Sequence, residues 1–202
     1  MRNISANVLS LSAMALSSLT TYLTFFDARY TLTTAVASLE MSLQRGGFSD
    51  GEEKSVYFRP YMSAQIILSN RGTRSLVVTD AQLVRAAGAE GCELTDTVME
   101  SRLSPMIIDP GAVTPLTLEF ALPETQQEVP IDAAFDLPSD EAYWCLRWTV
   151  FDPQGQRSEP AVPVASITTT YAPPPEEDDY PEAELDVDYP KGPATLARRG
   201  LY

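Results

Sequence analysis

The stretch YWCLRWTVF, residues 143–151, is apolar at every second position. Trp144, Leu146, Trp148 and Val150 fall on one side of an extended chain. Tyr143, Cys145, Arg147 and Thr149 fall on the other. Asp152-Pro153-Gln154-Gly155 follows as a turn, and a second apolar run returns from it. A chain that alternates with period two and reverses at turn residues builds sheets, so both tryptophans are expected as core anchors.

The same pattern recurs upstream. Asp109-Pro110-Gly111 is a turn with proline at its first central position and glycine at its second. Leu116, Leu118 and Phe120 then alternate with Thr117 and Glu119, and Pro115 stands at the strand's start, where a missing ladder donor is tolerated. Asn70-Arg71-Gly72-Thr73 separates two runs rich in Ile, Val and Leu and reads as a hairpin turn. Residues 88–102 show no period and read as a connection. Residues 30–43 fit two templates. Leu32, Val36, Leu39 and Leu43 suit a helix ending at Gly46-Gly47, whereas Ala35, Ala37, Leu39, Met41 and Leu43 suit a strand. The threonine-rich start favours the strand.

Short strands at regular spacing, joined by turns, resemble an immunoglobulin-like β-sandwich over roughly residues 60–170. Tyr143-Trp144-Cys145 resembles the Tyr-x-Cys of that fold's penultimate strand, where the tyrosine forms a corner with the preceding loop. Cys92 has no tryptophan at the family's offset after it. The layout is also similar to small sandwich domains of bacterial envelope proteins. The resemblance implies a fold and no antibody-like function. Cys92 and Cys145 form either one disulfide, which requires an oxidising compartment, or two buried thiols acting as small apolar residues.

Residues 4–26 carry no charge, and at about 1.5 Å per residue a helix of that length crosses a hydrocarbon core. Serine and threonine are tolerated in such a helix because their hydroxyls bond back to its carbonyls. Tyr22, Phe25 and Phe26 gather beside Asp27 and Arg29, as at a headgroup boundary. A cleaved signal fits less well. Arg29 and Asp27 intervene before the Ala35-Val36-Ala37 site, and Ala13-Met14-Ala15 leaves too short an apolar run. Ala6, Ser10, Ala13, Ser17, Thr20 and Thr24 form a stripe of small residues, which favours close packing against another transmembrane helix.

After residue 171 the chain becomes rich in proline and acid. Eight carboxylates lie between Glu176 and Asp188, so the segment reads as disordered. Tyr180 and Tyr189 are expected docking points for a basic surface, with Leu196, Arg198, Arg199 and Tyr202 as a further contact. The expected organisation is therefore a transmembrane α-helix over 1–28, an all-β immunoglobulin-like sandwich over 29–171 and a disordered acidic tail over 172–202.

Composition narrows function. The net charge of -14 argues against nucleic acid, which needs Lys and Arg to displace its counterions. With no histidine in the sequence, the Ser-His-Asp, Cys-His and histidine metal sites are excluded. Glu184-x-Asp186-x-Asp188 lacks the glycine a calcium loop needs, since Tyr189 follows. No cofactor, metal or catalytic residue is expected. The reading is a non-catalytic accessory subunit of a membrane complex. Its expected partners are other transmembrane subunits, the lipid bilayer and a basic soluble protein, with the domain outside the cytoplasm. The alternative is a free-standing, membrane-tethered envelope binding module.

Overall fold

The structure is a computed structural model and describes residues 17, 30–88, 92, 94–101, 103–172 and 180–199. Twelve strands follow in chain order: β1 (Tyr30–Ser49), β2 (Glu53–Asn70), β3 (Leu76–Ala86), β4 (Leu94–Ser101), β5 (Met106–Ile108), β6 (Val113–Ala121), β7 (Thr125–Pro130), β8 (Asp140–Phe151), β9 (Arg157–Ser158), β10 (Ala161–Ala172), β11 (Glu182–Asp188) and β12 (Pro193–Arg199). They form two antiparallel sheets. The first runs β12-β1-β2-β6, with β7 continuing along β2. The second runs β11-β10-β8-β3-β4, with β5 on β3 and β9 on β8. The inward faces meet in one core that includes Leu68, Leu118, Phe120, Trp144, Leu146 and Trp148. This is an all-β sandwich, consistent with the immunoglobulin-like layout.

Residues 30–43 are a strand, and the bulge inside it explains their helix-like spacing. Val36 pairs with Ile66 and Ser38 with Gln65, which leaves Ala37 as the extra residue. One extra residue flips which parity faces the core. Leu32 and Val36 point in before it, and Leu39 and Met41 pack against the core after it. A 4-3 spacing thus arises from two period-two runs joined out of phase.

The glycines do not end this strand. Gly46 lies opposite Tyr57, whose ring occupies the space a Cβ at 46 would need. The ring of Tyr180 covers Gly47 in the same way, 2.6 Å from such a Cβ. Aromatic rings packed over glycines restore the side-chain cover that the strand otherwise lacks.

Residues 70–73 are not a hairpin turn. β2 and β3 belong to different sheets, so this segment crosses between them. Fully buried Asn70 builds the corner. Its Nδ2 donates to the carbonyls of Arg74 (2.7 Å) and Ile108 (3.0 Å), and its Oδ1 accepts from the Gly72 amide (2.9 Å). Asp109-Pro110-Gly111 turns as expected, with Gly111 at φ 75° and the Ala112 amide bonded to the Asp109 carbonyl.

Two further expectations are corrected. Residues 94–101, expected as a connection, form β4. Residues 182–199, expected as disordered, form β11 and β12, one at the edge of each sheet. In β11 the carboxylates Glu182, Glu184, Asp186 and Asp188 face solvent, while Leu185 and Val187 pack on the core. Charge on an edge strand also blocks unwanted strand pairing.

The expected transmembrane helix lies outside the described residues, apart from Ser17. Among the described residues no helix is long and apolar enough to cross a membrane.

Candidate functional site

The strands run between two poles. At one, β1 begins, β12 ends, and the 71–75 and 109–112 segments cross between the sheets. At the other lie the β1–β2 tip, β7 and the start of β8. Toward this second pole the sheets part around a cavity of about 250 Å³. Leu43 and Phe58 line it from the first sheet, and Trp144, Ile167, Tyr171 and Leu185 from the second. The rings of Phe58 and Tyr171 meet at 5.2 Å between centroids. Arg85 donates to both oxygens of Asp140, 3.0 and 3.1 Å away, and both residues contribute to the lining. The Trp144 indole N–H is buried without a hydrogen-bond partner. The space falls just below the usual range of small-molecule sites, roughly 300–1,000 Å³. It suits a small apolar group.

Among the described residues, titration is perturbed only near the surface. Backbone amides of Glu53 and Glu52 donate to Asp50 and hold its carboxyl below the ordinary aspartate value. Tyr61 and then Glu124 push Arg59 up, through hydrogen bonds and the Glu124 charge. The Glu141 carboxylate accepts from the Tyr143 hydroxyl at 2.6 Å and pushes it up. These are surface pairs that organise no reaction centre. Among the described residues no three carboxylates or cysteines converge as metal ligands.

The residues singled out in the sequence fall as follows. Cys92 and Cys145 are bonded, with Cα atoms 5.9 Å apart. The bond ties Cys145 of β8 to the connection between β3 and β4, so both ends belong to segments of the second sheet. An immunoglobulin-type bond joins the two sheets through the core. Here Cys145 alternates with the core residues Trp144 and Leu146 and faces away from them. Tyr143 makes no corner with the preceding loop, since its partner Glu141 lies on the same strand.

Tyr180 packs against this chain's own Gly47 and Phe135, with ring centroids 5.9 Å apart in the second contact. Tyr189 lies against the core and Leu196 is buried in it, which removes Leu196 from any exposed docking set. β12 brings Arg198 and Arg199 into register with Thr31 and Tyr30. Tyr202 lies outside the described residues, as do Ala6, Ser10, Ala13, Thr20 and Thr24; of the stripe only Ser17 is described. The cavity had no sequence signal, because its lining comes from seven strands and a loop that meet only when the sheets face each other.

No protein-family model matches the chain. No curated protein matches it either. Among solved structures, it is similar to the putative ApaA protein from Bordetella pertussis, at 12% identity and a TM-score of 0.26, over 65% of this chain and 91% of that one. A likeness at that level says nothing about function.

Proposed function

We propose that this chain is a non-catalytic, single-pass membrane protein, an accessory subunit of a larger membrane complex. One observation carries the reading. The uncharged run of residues 4–26 leads, after only three residues, into β1 at Tyr30. A spanning helix there holds the sandwich against the bilayer with almost no linker. The small-residue stripe Ala6, Ser10, Ala13, Ser17, Thr20 and Thr24 packs on a partner helix. The disulfide supports a domain outside the cytoplasm, where such bonds persist. The outward carboxylates of β11 offer a basic soluble protein a surface for electrostatic steering.

Replacing Ser10, Ala13 and Ser17 together by leucine tests the reading. The variant still inserts and loses its partners on mild extraction. Unchanged association would remove the stripe from the account. The inter-sheet cavity favours a second reading, a tethered binding module for a small apolar ligand. Ligand-induced thermal stabilisation that is lost in Trp144→Phe, with no co-purifying subunit, is the result that would select it.

A further inference from the structure

We propose that the pole of the sandwich at which β1 begins rests on the headgroups of an anionic bilayer, with Ile107 and Val113 entering the interface. The inference rests on the membrane-anchored reading above and adds a lipid-binding surface to it.

Charge is separated along the strand direction. Arg71 and Arg74 lie in the corner after β2, Arg157 lies in β9, and β12 brings Arg198 and Arg199 beside the start of β1. Arg29 precedes that start by one residue. Asp27 stands two residues before Arg29 in the sequence and offsets it, and the acids described at this pole each have a partner. Asp152 is buried and accepts from the amides of Gln154 and Gln156, Asp109 accepts from the Ser75 hydroxyl, and Glu159 pairs with Arg157. The opposite pole carries Asp50, Glu52, Glu53, Glu128, Asp132 and Asp136, with Lys54 as a counter-charge. In a chain of net charge -14, this arrangement gives an anionic leaflet one attractive end and one repulsive end.

The two most exposed large hydrophobic residues lie at the basic end, while Phe48 and Ile131 are exposed toward the other. Ile107 and Val113 are 68% and 65% exposed and stand on either side of the Asp109-Pro110-Gly111 turn. They exceed every other exposed large hydrophobic residue among those described. Exposed aliphatics at the pole that also carries these arginines fit the acyl–headgroup boundary, where apolar burial and attraction to anionic lipid act together. The same pole carries the junction with residues 4–26, so an inserted helix delivers it to that boundary.

The test is hydrogen exchange on the full chain in nanodiscs of phosphatidylcholine alone or mixed with phosphatidylglycerol. Amides of 71–75 and 105–113 should exchange several-fold more slowly in the anionic discs, and the 50–53 tip equally in both. High salt should remove the difference. So should Arg71→Ser with Arg157→Ser, and Ile107→Ser with Val113→Ser, all at exposed positions that leave the core intact. Equal exchange in both lipids, or protection that survives these substitutions, overturns the proposal. Retention of the chain by the discs is read separately. A chain that is retained but unprotected refutes this surface alone. A chain that is not retained refutes the anchored reading as well.

Discussion

The Nδ2 of Asn70 reaches the carbonyl of Ile108 at 3.0 Å, across the gap between the two sheets. With its bonds to Arg74 and Gly72, one amide side chain satisfies three backbone groups at a buried corner. Asn70→Ala leaves those groups without partners and should destabilise the sandwich by about 1–3 kcal/mol. Urea denaturation followed by tryptophan fluorescence measures it. A midpoint indistinguishable from the wild type would show that the corner is held by other contacts.

The Cys92–Cys145 bond closes a sequence separation of 53 residues and so restricts the unfolded chain. Its reduction should cost about 2–4 kcal/mol and lower the melting temperature. A melting curve unchanged by reductant would contradict the bond's role. Thiol labelling under native conditions should find no free thiol before reduction.

Gly46 and Tyr57 are cross-strand partners, with the ring lying where a Cβ would stand. Gly46→Ala must displace that ring and should cost about 1–3 kcal/mol, as overpacking does. Adding Tyr57→Ala should recover part of the loss, because the clash goes with the ring. Additive losses would mean that the two residues do not meet.

Asp50 titrates below its ordinary value because the Glu53 and Glu52 amides favour its charged form. A depressed folded-state pKa adds stability above the unfolded aspartate value, and the gain disappears as pH falls through the folded one. The stability difference between wild type and Asp50→Ala should therefore shrink on acidification and vanish once the carboxyl is protonated in both states. A difference that grows toward low pH would reverse the assignment.

The tryptophan strand, the Asp109 turn and the β6 alternation were legible in the sequence because each is a local pattern. The helix-like spacing of Leu32, Val36, Leu39 and Leu43 misleads because a bulge shifts phase without leaving a residue signature. Residues 70–73 carry turn chemistry, but asparagine and glycine serve an inter-sheet corner as well as a hairpin. The acidic segment hid its strand. EAELDVD alternates with period two, yet its summed charge suggests disorder. Cys145 sits in a Tyr-x-Cys pattern, but the strand's alternation turns it away from the core. The cavity depends on which strands face each other, and that is settled only by the assembled sheets.

The most direct test of the anchored-subunit account is native sizing after mild-detergent extraction from membranes, with a tag at the exposed Gly51 tip between β1 and β2. The account predicts a discrete assembly larger than the 22.1 kDa chain, carrying companion transmembrane subunits and losing them in the leucine-stripe variant. A lone monomer at low and high salt would contradict it.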